Sequence, residues 1–366
     1  MEDFNMSYKT IVTHEKPHLD EIGVIWLLKY FDEGEKKFPG IRDAKIEFWG
    51  EGGTTPDGRN VKEWEKDGFL MVGVGGGRLD EHKQNINVAA DGECAFSLAR
   101  KELGLDDNPA LDEIDRFILR VDSKGGANPF DISSIVKAGN NYSEKTQHVI
   151  NWAMLALQWK YMEQLQFFEL TRAEFDEKAE IEKIETYKGT VNLVVIESDD
   201  PLITRFARST FGCEAAVVIQ KQHSGNVQIS TNKKFAIKLH DVIQILRLEE
   251  QKLKGGVVVY NWQELSAGGK LEAVPEWYFH EGAQMLLNGS LSCPNIPPTQ
   301  ISLDNIKRFV QTALNPDYFD KIFGQGCRQG ICCDQARRSC SLYQYGLRRC
   351  RKIRSEQRDK VIRYNR

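Results

Sequence analysis

Along the first 140 residues, short apolar runs with β-branched and aromatic character ("KTIVT", "AKIEFWG", "GFLMVGVGGG") alternate with other segments. In those, apolar residues return every three or four positions ("DEIGVIWLLKYF", "GECAFSLARKELG", "ALDEIDRFILRVD"). The first pattern predicts strands and the second helices, and their alternation predicts a mostly parallel sheet built from βαβ units. Ligands of such sheets bind beyond the carboxyl ends of the strands. From His148 to Lys188, Val149, Trp152, Leu155, Trp159 and Met162 recur at helical spacing. That predicts one long amphipathic helix or a helix pair, roughly 60 Å long if unbroken. Its aromatic stripe reads as packing, because a periodic stripe normally faces a core. A second alternation runs from Thr190 to Leu314, with strands in "VNLVVIES", "EAAVVIQKQ" and "NVQISTN", a helix in "LHDVIQILRLEEQ" and a further helix in "GAQMLLNG". The pattern thus predicts an α/β protein of four parts: a mostly parallel α/β domain at 1–140, a helical connector at 141–188, a smaller α/β domain at 189–320 and a tail at 321–366. No internal repeat or low-complexity tract interrupts them.

Composition narrows the class. With 366 residues, 41% hydrophobic and 28% charged, the chain is long enough for two cores. The polar, mixed-charge start "MEDFNMSYKT" has neither the apolar core of a signal peptide nor the character of a transit peptide. No apolar run approaches the length of a membrane span. These readings predict a cytoplasmic protein without a membrane partner. The net charge of −4 is uneven: Gly324–Arg366 holds ten Arg and two Lys against Asp334, Glu356 and Asp359, a charge of +9 that leaves −13 on the rest.

The candidate chemistry sits where strands are predicted to end. His14, His18 and Asp20 follow the spacing H-x3-H-x-D, with Glu21 adjacent, on a turn between the first strand and the first helix. Imidazole and carboxylate donors together suit Mn²⁺, Fe²⁺ or Zn²⁺; the alternative is a polar loop with a helix cap at Asp20. Asp80, Glu81 and His82 follow the run "FLMVGVGGG", and Asp122 ends another apolar run in "FILRVDSKGG", giving three expected strand ends that carry ligands. The glycines Gly75, Gly76 and Gly77 would let main chain approach a phosphate or metal closely.

These motifs resemble the DHH phosphoesterase superfamily, most nearly its MYG-type branch. "VTHEKPHLDEIGVI" looks like the first motif, "LDEH" stands where the Asp-His-His motif belongs and "RVDSKG" where the last metal-binding aspartate belongs. The resemblance covers about the first 140 residues and implies a divalent metal such as Mn²⁺. It implies that His14, His18 and Glu81 surround one metal position and Asp20 and Asp122 a second, with His82 facing the substrate phosphate or protonating the leaving group and Asp20, Asp80 and His82 as the catalytic candidates. The sequence departs from the pattern at three positions. His18 stands where most members have aspartate, Glu81 replaces the first histidine of Asp-His-His, and Gly73 stands where an aspartate bridges the two metals. The implied function is metal-dependent hydrolysis of phosphoesters in nucleotides or short nucleic acids. The alternative is a catalytically inactive relative that binds nucleotide or nucleic acid. Members generally hold substrate with a second domain, where Arg205, Arg208, His280, Asn288 and Ser290 are the candidate substrate contacts.

The tail carries Cys327, Cys332, Cys333, Cys340 and Cys350 in the spacing C-x4-C-C-x6-C-x9-C. A structural Zn²⁺, an iron–sulfur centre and free thiols are the alternatives, since paired C-x2-C knuckles are missing. Basic residues interleaved with Tyr343 and Tyr345 have the composition of a nucleic-acid contact surface, or of a basic helix docked on an acidic body.

Overall fold

The computed structural model describes residues 7–50, 55, 57–80, 92–126, 128–289, 293, 295–333 and 339–364, with side chains described as far as 359. The chain forms two compact units, Met1–Phe168 and Glu169–Arg366. Among the described residues, no helix is long and apolar enough to cross a membrane.

The first unit is built on strands β1 (Thr10–His14), β2 (Lys45–Trp49) and β3 (Phe69–Met71), with helices α1 (Leu19–Phe31), α2 (Val61–Lys66), α3 (Ala95–Glu102), α4 (Pro109–Lys124), α5 (Ile132–Tyr142) and α6 (Thr146–Leu165). The strands are parallel in the order β2-β1-β3, as the βαβ alternation predicts. β1 is central and buried on both faces: Ile11 joins the main core and Val12 a smaller cluster with Met71 and Val74. α1 packs against α3 at Gly23, where a β-carbon would lie 2.6 Å from the Phe96 ring. That close approach brings the start of α1 to the start of α3.

Three expectations are corrected here. Asp122 does not end a strand. It lies near the end of α4, whose inward positions Leu111, Ile114, Ile118 and Val121 keep the helical period through that apolar run. The helix expected from His148 to Lys188 does form, but it stops at Lys178, and Glu180–Thr186 is a strand. α6 packs on the first core through Val149, Ile150, Ala153 and Leu157, passes into a π-type turn at Gln166–Thr171, and is followed by the short α7 (Arg172–Lys178). The stripe packs only at Val149, which is buried in the first core; Trp152, Leu155, Trp159 and Met162 are exposed, Trp159 at 62% and Met162 at 57%. α6 is apolar on two sides, and the side that turns inward is the one with smaller side chains.

The second unit holds a seven-stranded mixed sheet in the order β4-β5-β6-β7-β10-β9-β8. Its strands are β4 (Glu180–Thr186), β5 (Gly189–Glu197), β6 (Val217–Lys221), β7 (Val227–Thr231), β8 (Gly269–Leu271), β9 (Val274–His280) and β10 (Met285–Leu287). Helices α8 (Ile203–Arg208), α9 (His240–Leu253), α10 (Trp262–Leu265), α11 (Leu303–Leu314), α12 (Gly324–Arg328) and α13 (Arg348–Tyr364) complete it. "GAQMLLNG" contains β10 rather than a helix, because Gln284 takes a positive φ and Met285–Leu287 pairs with both β7 and β9. The tail is no appendage: Leu342, Tyr345 and Leu347 are buried in the second core, and Cys340 and Cys350 pack against it. Buried Arg247 donates to the carbonyls of Leu265, Ala267 and Trp277, tying α9 to β9 and the loop before β8.

Candidate functional site

β1 ends at His14, and the chain turns through Glu15–Pro17 into α1, whose cap residue is His18. Neighbouring segments pin this turn. Asn140 Nδ2 donates to the Pro17 carbonyl at 2.8 Å and Thr146 Oγ1 to the Glu15 carbonyl at 3.1 Å. Glu21 closes the first helical turn, its Oε2 accepting the His18 amide at 2.7 Å in the return half of a capping box. Its other oxygen lies 3.7 Å from His14 Nε2, so an imidazole nitrogen and a carboxylate oxygen face each other at the carboxyl end of the central strand.

Asp20 is only 3% exposed. Its Oδ2 accepts the amide of Ala95 at 3.0 Å and its Oδ1 that of Phe96 at 2.8 Å. These are the first residues of α3, whose leading amides lack partners within the helix, and the carboxylate also matches the positive end of the helix dipole. Asp20 therefore has a structural task that local sequence does not show. Next to it, burial and the Asp20 charge raise the Cys94 thiol far above its ordinary range, so Cys94 is no nucleophile near neutral pH.

Asp80 is also buried and braces the glycine loop, with Oδ2 accepting the Gly76 amide at 2.7 Å. The loop closes on itself where the Gly73 amide donates to the Leu79 carbonyl at 2.9 Å. Gly73 has φ +65°, and a β-carbon there would lie 2.6 Å from Glu21 Cγ and 3.0 Å from Glu21 Oε1. The side chain of Glu21 already fills the room in front of position 73. Glu81 and His82 lie outside the described residues.

A cavity of about 150 Å³ opens beside the turn, lined by His18, Asp20, Asp122, Ser133 and Lys137. Three predicted ligands thus meet at one cavity, although the expected strand end at Asp122 is helical. Ser133 and Lys137 are additions that sequence reading missed. They stand one turn apart on α5, behind the Asp131 cap, and that i, i+4 spacing is the only local sign that they share a face.

The donor types suit a borderline divalent ion. Their arrangement does not complete a site: among the described residues, no group of three His, Cys, Asp or Glu is placed to hold a metal ion. The same holds for the tail. No disulfide joins any of the eight cysteines. Cys327 is raised by burial first and then by neighbouring cysteines, and Cys350 is raised by burial to about 11 against the opposing charges of Arg349 and Arg354, while Cys333 is exposed.

The second-unit candidates do not gather. Arg208 braces α8 against β7, donating to the carbonyls of Thr204 and Thr231 at 2.9 and 3.1 Å, and burial lowers its pKa. Asn288 is fully buried and ties Glu276, Pro297 and Thr299 together. His280 accepts the Ala283 amide in a tight turn. Arg205 is half-buried on α8, and Ser290 lies outside the described residues. In comparisons with known proteins, no family model, no curated protein and no solved structure matches this chain.

Proposed function

We propose that the first unit is a phosphoester-handling site, acting as a metal-dependent hydrolase of the DHH type on nucleotides or short nucleic acids. The observation that carries this reading is the cavity that gathers His18, Asp20, Asp122 and Lys137 beside the end of β1, the position where α/β sheets bind ligands. Lys137 and His18 offer N–H donors to phosphoryl oxygens, and Asp122 offers an acceptor for a water proton. Glu21 faces the His14 imidazole across a 3.7 Å gap. A divalent ion would supply activation of water at neutral pH; Glu81 and His82, which the resemblance offers as further site residues, lie outside the described residues.

Two observations favour the second reading, a protein that binds such ligands without cleaving them. Both oxygens of Asp20 already accept main-chain amides, and Glu21 fills the space before Gly73. Hydrolysis of bis(p-nitrophenyl) phosphate with added Mn²⁺, in wild type and Asp122→Asn, separates the readings. Asp122 is exposed at the cavity, so the variant should melt like wild type and lose turnover. Full turnover in Asp122→Asn would remove the cavity from the chemistry. Nucleotide binding with no turnover in wild type would establish the binding protein.

A further inference from the structure

The second unit contains a cavity of about 800 Å³, lined among others by Tyr187, Lys238, Trp262, Leu314, Arg348 and Arg351. Small-ligand sites commonly occupy roughly 300–1,000 Å³. Its charge is the first clue to an occupant. α13 opens with Arg348, Arg349, Arg351 and Lys352, all of which line the cavity. Cations in a first helical turn oppose the helix dipole. Two acids stand there: Asp241 accepts the Arg348 amide at 3.2 Å and offsets part of the charge of Arg351, Arg349 and Arg348, and Glu281 pairs with His240 at 2.9 Å. Among the described residues, the side chains of Arg348 and Lys238 form no ion pair or hydrogen bond, and Lys352 reaches only Glu356, 3.9 Å away on its own helix.

The second clue is the wall. Tyr187, Leu314 and Trp262 present carbon rather than charge. Over the half-exposed Trp262 ring lies the Arg351 guanidinium, 3.9 Å from the ring centroid. Arg351 is held there by the Gly346 carbonyl and by Gln244, whose own amide is fixed to the Tyr345 carbonyl. A guanidinium held over an indole ring is a ready platform for a planar ring. An occupant that satisfies both clues has a planar body and an anionic head.

We infer that this cavity binds a nucleotide, its phosphates against Arg348, Lys238 and Lys352 and its base against the Arg351–Trp262 stack. The inference does not rest on the reading of the first unit. It is tested by titrating the full chain, in the Asp122→Asn background without added metal, with ATP, tripolyphosphate, adenosine and a single-stranded oligonucleotide. Binding is read by calorimetry and by tryptophan fluorescence. ATP should bind more tightly than tripolyphosphate, and adenosine more weakly than either. Affinity for ATP should fall with salt and drop at least tenfold in Arg348→Gln/Lys238→Gln, a pair of exposed changes that retain side-chain bulk. Trp262→Phe should remove most of the fluorescence response. ATP affinity unchanged in the double variant, no ATP binding at all, or binding of the oligonucleotide alone would each overturn the inference.

Discussion

A β-carbon at Gly73 would stand 2.6 Å from Cγ of Glu21, so the carboxylate that closes the first turn of α1 and a side chain at position 73 exclude each other. The φ of +65° adds a backbone demand for glycine. Gly73→Asp, which would introduce the carboxylate that the DHH pattern carries at this position, should therefore destabilise the protein by about 2–4 kcal/mol through strain and overpacking and gain no metal. Adding Glu21→Ala should recover only the packing part. Thermal melts and metal stoichiometry of the two variants and wild type check this; a Gly73→Asp protein that melts like wild type and holds metal would show that loop and carboxylate rearrange together.

Asp20 should behave as a helix cap in any stability measurement. Asp20→Ala removes both acceptors from the start of α3 and should cost about 1–2 kcal/mol. Asp20→Asn keeps one acceptor and should cost less. Denaturant midpoints, with Asp122→Asn within about 0.5 kcal/mol of wild type as the reference, check the ranking.

Arg247 is buried to 1% exposure, and desolvation lowers its pKa to about 10. Arg247→Met would leave the carbonyls of Leu265, Ala267 and Trp277 without their donor. A loss of about 3–5 kcal/mol is expected. Lysine should rescue little, because a single ammonium cannot reproduce the fork. Urea melts of the second unit give the values.

Thiol labelling should follow burial. Exposed Cys293 and Cys333 react first, while Cys94 and Cys350 remain. The Cys350 thiol, raised by burial from 9.0 to about 11, gives up its proton later in the folded chain than in the unfolded one. Its contribution to stability is therefore complete below pH 9 and is lost as pH rises toward 11. Mass-resolved alkylation between pH 7 and 11 measures both effects. Early labelling of Cys350 at pH 8 would contradict the packing of α13.

Removing residues from Cys327 onward should unfold the second unit rather than detach a tail, because Leu342, Tyr345 and Leu347 belong to its core. Leu347→Ala alone should cost about 2–4 kcal/mol. Circular dichroism and limited proteolysis report the outcome, and a truncated chain with an intact cooperative melt would refute the assignment.

The sequence by itself determined the local elements and the loaded turn. Period-two and helical repeats are written within a dozen residues, so β1, α1, α4, β5 and α9 were legible, as was a strand end carrying His14, His18 and Asp20. The tertiary structure decided everything that depends on which surface meets which. Periodicity shows that Trp152, Leu155, Trp159 and Met162 share a face of α6, but not that Val149, Ile150, Ala153 and Leu157 form the face turned inward. Spacing marks Asp20 as a donor, but only packing at Gly23 delivers the amides of Ala95 and Phe96 to its oxygens. The meeting of Asp122 and Lys137 with His18 has the same origin. Such contacts join residues far apart in the chain, and burial of the two cores, rather than any local propensity, fixes their distances.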